Sequence, residues 1–291
     1  MSAASAIRPR RNLLFVPGTR PERFAKALAA GPDMVTVDLE DAVLPPHKDA
    51  ARAAAMALLE GPRDDGIERV VRINGLRTTF GLEDLLAVVR HPSPPDAIML
   101  PKVASADEVA IVAAVHERAA RPVDLHVIIE SNPGLEAVHA IAGAAASLRS
   151  LLFGAVDMAA ELGSAQDFTT MLYARSRVVH AAASHGLDAI DVPWLDLADE
   201  AGLSEECHRV QALGFTGKAA IHPKQLGTIN AVFTPGPERI AAARKLIEAF
   251  EASADGLVVV DGKLVEAPVV RSAHRTLAIA AATGALSSGA A

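Results

Sequence analysis

The sequence predicts an α/β fold, a (β/α)8 TIM barrel with a C-terminal helix-hairpin-helix lid. Three observations lead there: eight short apolar runs recur along the chain, a stretch of helical character follows each, and polar residues close one run after another. At 291 residues the chain has room for a barrel of roughly 250 residues with an appendage.

The runs are Asn12 to Pro17, Met34 to Leu39, Val70 to Ile73, Ala97 to Leu100, Leu125 to Ile129, Ser150 to Phe153, Ala189 to Val192 and Lys218 to Ile221. Most are continuous rather than alternating, as strands covered on both faces of a parallel sheet must be. Between them the helical stretches are Pro21 to Ala30, Lys48 to Leu59, Gly81 to Arg90, Ala106 to Ala119, Gly134 to Ala146, Thr169 to Ser184, Ser204 to Leu213 and one beginning near Pro223. Several stop at glycine or before proline, as at Gly61-Pro62, His91-Pro92, Gly186 and Gly214. An open dinucleotide-binding sheet is the weaker alternative, because no Gly-x-Gly-x-x-Gly follows an early strand.

The eight units fill residues 1–235. In 236–291 the pattern changes to a helix from Pro237 to Ala252, two apolar runs either side of Asp261-Gly262, and a helix from Pro268. An Asp-Gly step between apolar runs is a strong hairpin signal. The small-residue tail after Thr283 is expected to fray.

Composition narrows the function classes. A net charge of -7 with 3% aromatic residues offers neither the basic face nor the stacking platform of a nucleic-acid binder. No window has the length of bulky apolar residues that a membrane span needs, and no apolar leader follows Arg8, Arg10 and Arg11, so a soluble cytoplasmic chain is expected. The single cysteine, Cys207, excludes an internal disulfide and a multi-cysteine zinc site, and is expected to be a small structural residue.

In a barrel of this kind the site lies where the strands end, so the polar residues closing each run carry the functional information. They are Asp38, Glu40 and Asp41 on the second strand, Arg72 and Asn74 on the third, Lys102 on the fourth, Glu130 on the fifth, Asp157 after the sixth, Asp191 on the seventh and His222 on the eighth. Glu130 and Asp157, from neighbouring strands, are the candidate metal ligands; two carboxylates with few other ligands suit Mg2+, which keeps water and substrate oxygens in its remaining positions. Arg72 is the candidate electrophile, able to hold a carboxylate or an enolate oxygen, with an ion pair to Asp38 or Glu40 as its structural alternative. Glu40 and Asp41 are candidate acid or base carboxylates. Pro17-Gly18 is expected to open a helix whose N-terminal amides take an anion, with Arg23 and Lys26 one turn on.

These residues, in this order, resemble the citrate lyase beta subunit family and its malyl-CoA and citramalyl-CoA lyase relatives over nearly the whole chain. The resemblance rests on Leu13-Leu-Phe-Val-Pro-Gly18, Asp38-Leu-Glu-Asp-Ala-Val43, Arg72-Ile-Asn74, Leu100-Pro-Lys102, Phe153-Gly-Ala155 with Asp157, Tyr173-Ala-Arg-Ser-Arg177, Gly214-Phe-Thr-Gly-Lys218, Ile221-His-Pro223 and Val260-Asp-Gly-Lys263 with Ala267-Pro-Val-Val270. It implies Mg2+ on Glu130 and Asp157, Arg72 beside the substrate carbonyl, and Arg23 and Lys26 near coenzyme A phosphates. It also implies a homotrimer or hexamer in which one subunit's lid closes a neighbour's site. Two departures stand out. Relatives commonly carry Glu-Thr-Ala-Arg-Gly where this chain has Glu130-Ser-Asn-Pro-Gly134, which puts Pro133 in a loop expected to line the substrate pocket. Glu266 stands where the acyl-CoA lyases have a catalytic aspartate.

The function implied is a Mg2+-dependent carbon-carbon lyase that splits a 3-hydroxyacyl-CoA into an acyl-CoA and a 2-oxo acid, or joins them. The alternatives are a metal-dependent aldolase acting on free hydroxy-keto acids and a non-catalytic acyl-CoA-binding subunit.

Overall fold

A computed structural model describes residues 8–60, 63, 65–119, 122–253 and 257–286. The Gly61-Pro62 step and the tail beyond Leu286 lie outside the described residues. Two compact units emerge, Arg10–Ile229 and a second comprising the described residues from Asn230 onward with Arg8 and Pro9.

In the larger unit β1 (Asn12–Pro17), β2 (Met34–Asp38), β3 (Glu68–Arg72), β4 (Ala97–Leu100), β5 (Asp124–Ile129), β6 (Leu148–Phe153), β7 (Asp188–Asp191) and β8 (Gly217–Ala220) form a closed parallel barrel in chain order. The ring closes where Leu13 pairs with Ala219. Crossovers carry α1 (Glu22–Ala29), α2 (Lys48–Leu58), α3 (Thr79–Arg90), α4 (Ala106–Arg118), α5 (Asn132–Glu136), α6 (Val138–Ala142), α7 (Ala155–Leu162), α8 (Leu172–Ser184) and α9 (Glu200–Leu213), and α10 (Leu226–Phe233) follows β8. Local chemistry sets several boundaries. The Thr78, Ser131 and Asp199 side chains accept the amides of Gly81, Gly134 and Gly202 at the starts of α3, α5 and α9. Gly163 and Gly214 end α7 and α9 in the left-handed conformation.

Two crossovers differ from the sequence expectation. The single helix expected over Gly134 to Ala146 is two short ones, α5 and α6, broken at Ala137. The unexpected α7 starts directly after β6, because Gly154 turns the chain in one residue, and it places Asp157 in a helical first turn.

Strand periodicity places the functional layer. Leu13, Met34, Val70, Ala97, Met99, Ile128, Leu152, Ile190 and Ala219 form one buried cluster. Side chains repeat every second residue along a strand. Stepping back two residues from Val70 and Ile128 therefore gives Glu68 and His126 at the N-terminal end of the barrel, and stepping forward two gives Arg72 and Glu130 at the C-terminal end. The lower layer is closed by charge. Arg10 bonds Glu68 at 2.7 Å and lies 3.4 Å from Asp188, while His126 Nδ1 lies 2.7 Å from the Ser150 hydroxyl. Burial opposes ionisation of Glu68, but His126 and Arg10 outweigh it and hold its carboxyl far below the usual range.

At β7 and β8, Lys218 bonds Asp191, itself part of the lining of the cavity at the strand ends, at 2.5 Å and Glu206 at 2.9 Å, and Arg175 bonds the same two carboxylates. Two cations and two anions so pin α8 and α9 to the barrel without leaving a lone buried charge. Cys207 is fully buried in α9.

The smaller unit contains α11 (Pro237–Glu251), a hairpin of β9 (Val258–Val260) and β10 (Lys263–Val265), and α12 (Ala267–Ala282). Both central turn residues, Asp261 and Gly262, have positive φ, as a tight hairpin requires. Ala243, Ile247, Val265, Val270 and Ala273 form its core.

Candidate active site

A cavity of about 750 Å³ opens at the C-terminal ends of the strands. One side of its lining carries Asp38, Asp41, Arg72, Glu130 and Asp157; another is apolar, with Val192, Pro193, Leu195 and Ile221; and Arg23 and Lys26 stand on α1.

Arg72 is the most constrained cation in this lining. Its Nε and Nη2 donate to the two oxygens of Asp38 at 2.7 and 2.6 Å. Its Nη1 lies 3.1 Å from Glu40 and 3.5 Å from Asp41. The guanidinium sits 5.1 Å from the centre of the Phe15 ring. Burial works against the charge, but Asp38, Glu40 and Asp41 outweigh it and raise Arg72 above its ordinary value. The ion pair with Asp38 and the cavity position therefore coexist. Five guanidinium N–H groups against four nearby carboxylate oxygens leave a donor for a ligand.

Asp38 is the fixed point of this corner. Besides the Arg72 fork it accepts the amides of Glu40 at 2.8 Å and Ala42 at 3.2 Å. The buried Lys48 ammonium donates to the carbonyls of Leu39 and Glu40 at 2.8 and 2.7 Å, and Asn74 donates to that of Leu39 at 3.0 Å. The loop bearing Glu40 and Asp41 is thus held from both sides. Asp41 faces the cavity, whereas Glu40 lies behind it, buried and 2.6 Å from the Lys102 ammonium.

Glu130 is buried, and its Oε1 accepts the Lys102 amide at 2.7 Å. A Cβ at Gly154 would come within 2.5 Å of the Glu130 Cβ and 2.8 Å of its Oε2, so only glycine lets this carboxylate lie against β6. Burial first, then the charges of Glu40 and Asp157, push the Glu130 carboxyl up to about 8. A buried carboxylate that repels a neighbouring carboxylate in the same cavity is a donor set that a hard divalent cation satisfies. Glu130 and Asp157 accordingly fit Mg2+, with water and substrate oxygens completing its shell.

Three expectations need correction. Pro133 is exposed at the first turn of α5 and absent from the cavity lining, because the Ser131 cap turns the chain into a helix there. Lys102, a strand-end residue and so a candidate for touching substrate, also stands outside the lining, with its ammonium beside Glu40 and Asp41. Gly18 does not open α1: its amide donates to the Asp38 carbonyl at 2.8 Å, and the helix starts at Glu22 with the amides of Arg23 and Phe24 bonded to Arg20 and Pro21. Arg23 and Lys26, exposed on α1, remain the cations available to an anion there. Glu266 belongs to the smaller unit, exposed at the start of α12 and capping nothing with its side chain.

Two contributors are given no role of their own by the sequence. Asp38 enters there as a strand-end carboxylate and as an alternative partner for Arg72, but not as the residue that fixes this corner, although its place two residues before Glu40 is an available signal. Gly154 gives only a faint one, a glycine immediately after an apolar strand.

A parallel barrel whose strand ends hold a forked arginine and two carboxylates suited to a divalent cation defines the metal-assisted enzymes of carbonyl and carboxylate chemistry. Within that class the chain belongs to the HpcH/HpaI aldolase/citrate lyase family, whose model matches residues 11–223. An L-malyl-CoA/beta-methylmalyl-CoA lyase of Cereibacter sphaeroides is 36% identical over 297 residues, covering 92% of this chain and 93% of the relative. A (3S)-malyl-CoA thioesterase of the same species is 37% identical over 282 residues, covering 95% and 96%. Among solved structures, protein CitE from Mycobacterium tuberculosis in complex with magnesium, acetoacetate and coenzyme A superposes with a TM-score of 0.78 at 33% identity, covering 94% of this chain and 100% of that one.

Proposed function

We propose that this chain is a Mg2+-dependent carbon-carbon lyase acting on a 3-hydroxyacyl-CoA such as malyl-, citramalyl- or citryl-CoA, releasing an acyl-CoA and a 2-oxo acid or joining them. The observation that carries the reading is Glu130 and Asp157 sharing one cavity with the forked Arg72. The lyase relatives and the complex of CitE with magnesium and coenzyme A support it.

Glu130 and Asp157 hold the cation. When bound there, Mg2+ would supply Lewis acidity to the hydroxyl and carboxylate oxygens of a hydroxy acid. A rim carboxylate takes the hydroxyl proton; of Glu40 and Asp41, Asp41 is the one in the cavity lining. Burial opposes its ionisation, but Arg72 and Lys102 outweigh it and hold its carboxyl below the usual range, so it suits only a hydroxyl already acidified. As the bond between C2 and C3 breaks, its electron pair moves through C2 to the thioester oxygen, where the free Arg72 N–H stabilises the enolate. Glu266, carrying a proton taken from solvent, then donates it to C2 from a neighbouring subunit's 236–291 lid in a homotrimer or hexamer, and Asp41 releases the hydroxyl proton to solvent. Arg23 and Lys26 take coenzyme A phosphates. No helix among the described residues is long and apolar enough to cross a membrane, and the buried thiol of Cys207 suits a reducing cytoplasm.

The 37%-identical thioesterase relative favours a second reading, hydrolysis of the same thioester. Incubation with malyl-CoA separates the two. Cleavage yields acetyl-CoA and glyoxylate with no free thiol and stops when Mg2+ is chelated, whereas hydrolysis yields malate and a thiol that a thiol reagent counts.

A further inference from the structure

Lys102 is one of two non-glycine residues among the described ones with a positive φ, at 53°. The other, Asp261, sits in a hairpin turn that demands it; Lys102 follows a barrel strand that does not. A side chain in the left-handed region carries strain that surrounding contacts must hold in place. Here those contacts are visible. The turned backbone donates its amide to Glu130 Oε1 at 2.7 Å. The side chain runs to the other carboxylates, with Nζ 2.6 Å from Glu40 and 3.3 Å from Asp41. Asp157 also feels its charge.

We propose that Lys102 is a positioning residue: its backbone sets the cation ligand Glu130 while its ammonium holds Glu40 and Asp41 against Arg72, so that one residue locks both halves of the site into register. This rests on the reading of Glu130 and Asp157 as ligands. The ammonium has two opposed effects. It fixes the carboxylates that the reaction uses, and as a positive charge beside Glu40, Asp41 and Asp157 it weakens the attraction of a divalent cation. Removing it therefore moves catalysis and cation affinity in opposite directions, whereas a generally damaged site loses both.

The test compares the full-length wild type with Lys102→Met and Lys102→Arg, using Mg2+ titration by calorimetry on metal-free protein and steady-state cleavage of malyl-CoA at saturating Mg2+. Lys102→Met is expected to bind Mg2+ about threefold to tenfold more tightly. Its kcat should fall about tenfold or more, the scale of one charge-assisted hydrogen bond, with KM within about twofold. Lys102→Arg, which keeps the charge, should return Mg2+ affinity to the wild-type value and recover part of kcat. Weaker Mg2+ binding with lower kcat in Lys102→Met overturns the proposal. A raised KM at normal kcat makes Lys102 a substrate contact, and unchanged values on both readouts make it a surface residue; each also overturns it. If the wild type itself binds no Mg2+, the ligand reading beneath has failed instead.

Discussion

Arg72 grips Asp38 through Nε and Nη2 at 2.7 and 2.6 Å, a fork-to-fork pair on adjacent barrel strands at the floor of the cavity. Asp38 is in turn fastened to the amides of Glu40 and Ala42, so the guanidinium plane is set before any ligand arrives. Arg72→Lys keeps the charge but cannot hold Asp38 side-on and still offer a donor to an enolate oxygen. We expect kcat to fall on the order of 100-fold, the scale of losing one oxyanion donor. Turnover measurements on a variant with unchanged melting temperature check this; near-normal kcat assigns Arg72 to structure alone.

Gly154→Ala is the most direct steric probe of the cation site proposed at Glu130 and Asp157. The added Cβ meets Glu130 at 2.5 Å, and the carboxylate must swing off β6 to make room. Mg2+ affinity should fall at least about tenfold, because a displaced ligand loses the geometry that Mg2+ demands. Calorimetry reads this without any assumption about substrate, and wild-type affinity in the alanine variant removes Glu130 from the ligand set.

Glu130 also predicts a pH dependence of stability. Its folded carboxyl is raised to about 8, chiefly by burial, above the ordinary carboxylate value near 4.3. Between those limits the folded state holds a proton that the unfolded state releases. The group's contribution is therefore fully present below the lower value and is lost as pH rises through the upper one. In chelator, wild type should lose on the order of 3 kcal/mol relative to Glu130→Gln between pH 5 and 9. Millimolar Mg2+ should restore it at the alkaline end. Paired denaturation curves decide, and parallel pH profiles for the two proteins contradict the assigned environment.

How much of this was legible depends on which way each strand end faces. Although Lys218 inside β8 is a buried charge paired to Asp191 and Glu206, the middle of most strands shows in the sequence because it is largely apolar. The N-terminal ends of β3, β5 and β7 do not, because Glu68, Asp124 and Asp188 are acidic residues gathered around Arg10 at 2.7, 3.8 and 3.4 Å, an arrangement that local apolar runs cannot reveal. At the C-terminal ends the candidate residues stand out as charges after apolar runs. Their division of labour does not: that Asp41 faces the cavity and Glu40 lies behind it depends on the loop held by Lys48 and Asn74, the latter 35 positions from its acceptor. The left-handed turn at Lys102 leaves no mark in composition at all.

The last prediction concerns Glu266. The eight barrel units are complete by Ala220, and Glu266 stands exposed in the smaller unit at the head of α12, a carboxylate with no capping bond to occupy it. If it serves a neighbouring subunit's cavity, activity belongs to pairs of chains rather than to single ones. Glu266→Gln leaves the barrel residues intact, and Arg72→Ala leaves the lid carboxylate intact, so each homo-oligomer alone should be nearly inactive. Mixed under conditions that allow subunit exchange, some sites receive an intact Arg72 from one chain and an intact Glu266 from the other. For random exchange at equal ratio, about one quarter of sites are expected to be whole, and activity should rise toward that fraction of wild type. The rise should track the exchange measured by native mass spectrometry on tagged subunits. Full exchange with no recovery would place Glu266 in its own chain's site or outside catalysis, and a fully active Glu266→Gln homo-oligomer would give the proton transfer to another group.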